Sequence, residues 1–183
     1  MPALEFKDIS DLIAKWISII AAILGGFIWL NTYVDSKRDE ISGRQQESIK
    51  FFREYNSPES LKLRQEFFDV KLATRSEVDQ KLSSLRGDTN AAMAQAEHLI
   101  RSTAMKIIID QKKGFDMRRL IEMFDQVEAC VDLNVCDRDV IYRFFNADAY
   151  EIRYILMDFI DQIKLTRPGF GKGIDALSYK PKD

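Results

Sequence analysis

The chain has 183 residues, with 27 basic and 29 acidic side chains for a formal net charge of −2, two cysteines and a single histidine. Even charge leaves no electrostatic footprint of a dedicated nucleic-acid binder, so no nucleic-acid partner is expected. Two cysteines and a distant histidine are too few for a paired zinc site or a disulfide scaffold, so Cys130 and Cys136 are expected as reduced, packed thiols and no metal or other cofactor is expected.

Residues 1–15 mix Glu5, Asp8 and Asp11 with Lys7 and Lys15 and lack the basic start and small-residue cleavage site of a signal peptide. They are expected to remain as a short tail. From Trp16 to Val34 the chain runs nineteen residues without a charge, WISIIAAILGGFIWLNTYV. As a helix rising ~1.5 Å per residue this is ~28 Å, close to the ~30 Å of a bilayer core. Trp16 at one end and Trp29 and Tyr33 at the other suit the headgroup level. A buried helix of a soluble core is the rival reading, but the aromatic ends and the charge cluster DSKRDE that follows favour one membrane-spanning helix over 16–34.

Lys7 and Lys15 precede this stretch, whereas Lys37, Arg38, Arg44, Lys50 and Arg53 follow it. The positive-inside rule then holds the larger part in the cytoplasm, anchored in the bacterial inner membrane. Ser18, Ala22 and Gly26 recur every four residues, with Ala21 and Gly25 alongside. Small residues at this spacing let helix backbones approach closely in lipid, so the face is expected to be a helix–helix association surface and the protein a homo-oligomer. No ionisable residue interrupts the stretch, which disfavours a transporter.

Residues 35–56 read as a helical stalk. Ile41, Ile49, Phe52 and Tyr55 recur at near-helical intervals, and a helix from Trp16 to Tyr55 would be ~60 Å long. The turn Asn56-Ser57-Pro58 ends it and starts the next helix, Ser57 as N-cap and Pro58 at the first helical position. A helical domain over 57–165 follows: a helix from Pro58 to about Leu72, then a short polar segment capped by Ser76 and ending near Gly87. The stretch from Leu72 to Asn90 is the least periodic and is expected to be a mobile connection.

A helix over 88–113 carries Leu99, Ile100, Ala104, Ile107 and Ile108 and is expected to stop at Gly114. Asp116 is expected to cap 117–133, whose Leu120, Ile121, Phe124, Val127 and Val131 form one stripe. Asp137 caps a short helix with Val140, Ile141, Phe144 and Phe145, and Asp148 with Glu151 reads as an acidic capping box that opens another with Ile152, Ile155, Leu156, Phe159, Ile160 and Ile163. No segment alternates with period two. The expected class is all-α, a spanning helix and stalk followed by a helical bundle.

Catalytic chemistry is missing. His98 has no nominated serine or cysteine nucleophile. Gly169 to Gly173, GFGKG, lacks the full phosphate-loop pattern and a preceding strand, so 166–183 is expected to be a flexible C-terminal tail. Asp158 and Asp161 lie away from the isoleucine stripe and lack the Glu-x-x-His partners of a dimetal bundle. No enzyme is expected.

The stretch RRLIEMFDQVEACVDLNVCDRDVIYRFFNADAYEIRYILMDFI resembles a bacterial family of single-span membrane proteins with a C-terminal helical domain of unknown function. The matching positions are Phe124-Asp125, Leu133 to Val135, Asp139 to Phe145 and Tyr150 to Ile163, and Phe51 to Phe67 resembles the region just past that family's membrane helix. These are hydrophobic and cap positions, so the resemblance implies a fold and no catalytic residues. In overall plan the chain is also similar to the small membrane accessory proteins of RNA-targeting CRISPR systems. That likeness implies a span, a degenerate HEPN-type domain and assembly into a pore. The Arg-x(4–6)-His motif of active HEPN domains is missing, since the nearest arginine upstream of His98 on that side is Arg86. The functional expectation is a self-associating membrane protein whose cytoplasmic domain is an interaction or effector module, membrane-perturbing or pore-forming in stress or phage defence. The alternative is a monomeric anchor or accessory subunit that recruits a partner protein.

Overall fold

The computed structural model describes the backbone of residues 6–82 and 89–179 and the side chains of residues 25–82 and 95–179. Among the described residues there are six helices: α1 Phe6–Tyr55, α2 Pro58–Leu82, α3 Thr89–Asp110, α4 Gly114–Asp132, α5 Arg138–Lys164 and α6 Lys172–Ser178. No strand occurs among the described residues, as the uniform 3.6-residue periodicity requires. The chain divides into two compact units, Met1–Gly43 and Arg44–Asp183.

In the first unit, the described side chains of α1 are nearly all exposed, Phe27, Ile28, Trp29 and Leu30 among them. No helix among the described residues is long and apolar enough to cross a membrane. The first half of the apolar run, 16–24, falls outside the described side chains.

The second unit includes the last three turns of α1. Ser48 is completely buried; its Oγ donates to the Arg44 carbonyl at 2.9 Å and accepts from the Asp137 backbone N–H at 2.8 Å. Tyr55 packs edge-on against Phe124 and tilted against Phe145, with ring centroids 5.8 and 5.0 Å away, and Phe124 meets Phe145 edge-to-face at 5.8 Å. Edge-to-face pairs place a ring's positive rim on its neighbour's negative face. Around this aromatic centre Met117, Leu120, Ile121, Ile141, Ile152 and Leu156 are fully buried. The distal half of the expected stalk is therefore part of the bundle.

Ser57 and Pro58 start α2 as the sequence suggests, the Ser57 Oγ accepting from the Ser60 backbone N–H at 3.3 Å. The expected break at Leu72 does not occur. Leu63, Phe67, Val70, Thr74 and Val78 form one buried stripe that carries the helix to Leu82, and tertiary burial overrides the polar character of the outward residues near Ser76. The turn after α3 also differs from expectation: Lys112, not Gly114, takes the left-handed backbone, at φ 56°, and Gly114 opens α4. Asp116 thus lies in the first turn of α4 and favours its positive end without capping it.

Asp137 caps α5 as expected, accepting from the backbone N–H groups of Asp139 and Val140. The second helix start at Asp148 is corrected, because α5 runs unbroken from Arg138 to Lys164. Its buried positions 141, 145, 149, 152, 156 and 159 keep helical spacing across the expected cap, so no orphan N–H group arises for Asp148 to satisfy. The reduced thiols are corrected as well. Cys130 and Cys136 are disulfide-bonded, closing the turn in which Asn134 takes φ 55°.

The largest correction concerns the expected tail. Phe170, Ile174 and Leu177 are buried in the core, and α6 packs against α4 and α5. Gly171 has φ 76°, and a Cβ on Gly173 would lie 2.0 Å from the Phe124 carbonyl oxygen, a contact only glycine allows. The expected tail and domain are one packed body up to Tyr179.

Candidate interaction surface

The small-residue face is only partly described. Trp16, Ser18, Ala21 and Ala22 lie outside the described side chains. Gly25 and Gly26 have open space where a Cβ would point, with no atom within 4 Å. Trp29 and Tyr33, four residues apart, stack at 5.7 Å between ring centroids. Trp29 is 67% exposed. Ring and glycine thus present one unoccupied apolar surface on α1.

A second surface lies on α2 and α5. Besides its buried stripe, α2 carries Leu61, Phe68 and Leu72 at i, i+7 and i+11, all close to half exposed. The row Arg64, Lys71, Arg75 has the same spacing and runs between the two apolar stripes. Facing it, α5 presents Asp148 and Glu151. Arg64 lies 3.5 Å from the Asp148 carboxylate and 4.3 Å from the centre of the Tyr55 ring, and Lys71 pairs with Glu151. The Tyr55 hydroxyl donates to the other partner of Arg64, the Asp148 carboxylate.

Burial, and then the hydrogen bond and negative charge of Asp148, push the Tyr55 phenol far above its ordinary pKa. It stays protonated and donates throughout the physiological range. The cluster therefore ties the end of α1 to α2 and α5, and offers no phenolate nucleophile. Beside it a groove of about 610 Å³ runs along α2, α3 and α5, lined by Val78, Leu82, Ile100, Tyr150, Tyr154 and Ile155 among others.

The other polar constellation closes the fold. Both Asp125 carboxylate oxygens accept backbone N–H groups, from Gly171 at 2.9 Å and Gly173 at 2.8 Å. Burial raises the pKa of Asp125, and these two hydrogen bonds only partly counter it. The N–H groups that a phosphate loop would turn toward a ligand are here occupied by the protein's own carboxylate. Asp175 on α6 accepts from Lys164 at 2.6 Å and Arg153 at 3.1 Å. Burial pushes its carboxyl up, but those two cations outweigh burial and hold it below its ordinary range.

His98 is exposed on α3, and no group of three or more potential metal-ligating side chains occurs among the described residues. Sequence reasoning missed the Tyr55–Asp148–Arg64 cluster because Asp148 read as a cap. The row of cations Arg64 and Lys71 on one helix face, with Asp148 and Glu151 on one face of another, is the signal that could have found it. The chain matches no protein-family profile, and neither a curated protein nor a solved structure is significantly similar to it.

Proposed function

We propose that this protein is a single-pass membrane protein that self-associates along the small-residue face of α1 and uses residues 44–183 as an interaction or effector module. The observation that carries this reading is the contiguous exposed apolar surface from Phe27 to Val34, with Gly25 and Gly26 open beside it. A run this apolar needs lipid or another helix around it. The uncharged stretch 16–34, with its aromatic ends, supports lipid as the main surroundings and the bacterial inner membrane as the site. Gly25→Leu with Gly26→Leu should shift the detergent-solubilised protein from oligomer to monomer. Unchanged mass would remove this face as the contact.

The side on which residues 44–183 reside has two supports that point in opposite directions. Five basic residues after the stretch, against two before it, support the cytoplasm. The Cys130–Cys136 disulfide supports an oxidising compartment. A cysteine at Ala3, in a chain lacking the native pair, separates them: labelling by an impermeant maleimide in intact cells places the domain in the cytoplasm, and protection places it outside.

The effector role, membrane perturbation or pore formation in stress or phage defence, rests on the resemblance in plan to CRISPR-associated membrane proteins. Its test is dye uptake by cells expressing the intact chain, compared with the Gly25, Gly26 double variant. A second reading, an anchor that recruits one partner protein, is favoured by the exposed stripe Leu61, Phe68 and Leu72, which has the spacing of a helix-docking face. Recovery of a stoichiometric second protein that is lost on Phe68→Glu would favour recruitment over self-assembly.

A further inference from the structure

The turn between α4 and α5 joins three helices through adjacent residues. Cys130, in the last turn of α4, is bonded to Cys136 in the turn itself. Asp137, the next residue, caps α5 with its carboxylate, and its backbone N–H donates to the Oγ of the buried Ser48 on α1 at 2.8 Å. The disulfide therefore lies one residue away from the contact that seats residues 44–48 of α1 on the bundle. Basic residues after the apolar stretch support the cytoplasm for this unit, whereas the bond supports an oxidising surrounding. A bond that opens and closes satisfies both. The turn is suited to that, because the N–H groups of Val135 and Cys136 both donate to the Cys130 carbonyl, at 3.0 and 3.1 Å, and Asn134 N–H donates to the Val131 carbonyl at 3.0 Å. These hydrogen bonds do not involve the sulfurs, so they keep the two thiols neighbours after reduction and let the bond re-form. An open polar cavity of about 400 Å³, with Arg44, Cys136, Asp137 and Arg138 among its walls, gives a small thiol an approach to the turn.

We propose that Cys130 and Cys136 are a reversible redox site whose state sets how firmly residues 44–48 of α1 are seated. In reduction, the thiolate of a dithiol attacks one sulfur; the S–S bond breaks, and the other sulfur leaves as a thiolate and takes up a proton. The second thiol of the reductant gives up its proton and attacks the mixed disulfide, releasing the second protein thiol and leaving the reductant as a disulfide. Two thiols fill more space than one disulfide, since bonded sulfurs become non-bonded neighbours and each gains a hydrogen. Cys130 and Cys136 are only 8% and 3% exposed, and a close-packed interior has no room to spare. Cys130 is fixed within α4, so Cys136 moves and carries Asp137 with it, and the hydrogen bond to Ser48 weakens. The Tyr55 end of α1 stays in place, held by Phe124, Phe145 and Asp148. The inference rests on the cytoplasmic side of the proposed reading only for the source of its reductant. That side is decided by labelling at Ala3, and the redox site by the purified protein, so the two can fail separately.

The test equilibrates the full-length protein in detergent with reduced and oxidised dithiothreitol at varied ratios, counts free thiols with a maleimide mass tag, and follows amide hydrogen exchange. Both cysteines should become taggable as the ratio rises and be protected again as it falls, with the helical circular dichroism retained. In the reduced state the peptide covering residues 44–52 should exchange about 3- to 10-fold faster, as the loss of one hydrogen bond allows, while peptides in the middle of α5 are unchanged. Ser48→Ala should exchange at the faster rate already when oxidised and show no further response to reduction. Cys130→Ser with Cys136→Ser should exchange fast in every buffer; if that variant does not fold, the parent and Ser48→Ala decide. Thiols that appear only on unfolding, a bond that does not return, equal exchange of residues 44–52 in the two states, or a Ser48→Ala protein that still responds overturns the proposal.

Discussion

Phe27 to Val34 on α1 and Phe170 to Leu177 around α6 are both short stretches rich in large apolar side chains, yet their circumstances are opposite. Trp29 is 67% exposed, whereas Phe170 is 2% exposed and Ile174 fully buried. Composition does not separate them. What separates them is whether the chain supplies its own partner surface. Around α6 it does, through the backbone of α4 at Phe124 and the side chains of α5. Along the first part of α1 the described side chains are exposed, and the proposed reading gives them lipid or a second helix as partner.

The sharpest way to break this contrast is to truncate a side chain in each region. Phe124→Ala should lower the stability of the bundle by about 4 kcal/mol, since it empties the centre of the aromatic cluster. Trp29→Ala should leave the unfolding free energy from chemical denaturation within about 0.5 kcal/mol of the parent. Equal losses at both positions would mean that the apolar surface of α1 is buried in the native protein. Gly173→Ala should cost about 3 kcal/mol, because its Cβ would collide with the Phe124 carbonyl and α6 would lose its seat. Limited proteolysis should then cut after α5 in the variant before the parent is cleaved.

Reducing the Cys130–Cys136 bond, which closes a short loop, should lower stability by about 2 kcal/mol, read as a shift in denaturant midpoint with and without reductant. No shift would show that the turn after α4 is already held by its backbone hydrogen bonds. A smaller and pH-dependent effect is expected from Asp175→Asn. Because the folded-state pKa of Asp175 is lowered, its ion pairs stabilise the fold above its ordinary value of 3.8, and that contribution is lost as pH falls through the lower folded value. With the side chain 40% exposed, solvent screening limits the effect to about 1 kcal/mol or less. Melting curves of parent and variant should therefore differ at pH 7 and converge in strong acid; a difference that widens on acidification would contradict the assignment. His98→Ala should be the smallest of all, with stability within about 0.5 kcal/mol of the parent.

Much of the bundle was legible from local chemistry. Ser57-Pro58 and Asp137 mark helix starts because their side chains satisfy end groups within a few residues of chain, and the stripes on α4 and α5 are visible because burial repeats every three to four residues. Asp148, Gly114 and the segment after Leu165 were misread for a common reason. Each carries the local signal of a helix start, a helix stop or a tail; Asp148 is claimed by Tyr55 and Gly171 and Gly173 by Asp125 and Phe124, all far away in sequence, while at Gly114 the left-handed position fell to Lys112 instead.

Sequence alone determined that the chain is helical and where most helices begin, because periodicity and capping act over a few residues. Only the tertiary structure decided that Cys130 bonds Cys136, that GFGKG is a clasp and no tail, and that Ser48 lies buried against Asp137. Those outcomes depend on the distance between residues remote in sequence or on the filling of space between helices, and neither quantity is written in any local pattern.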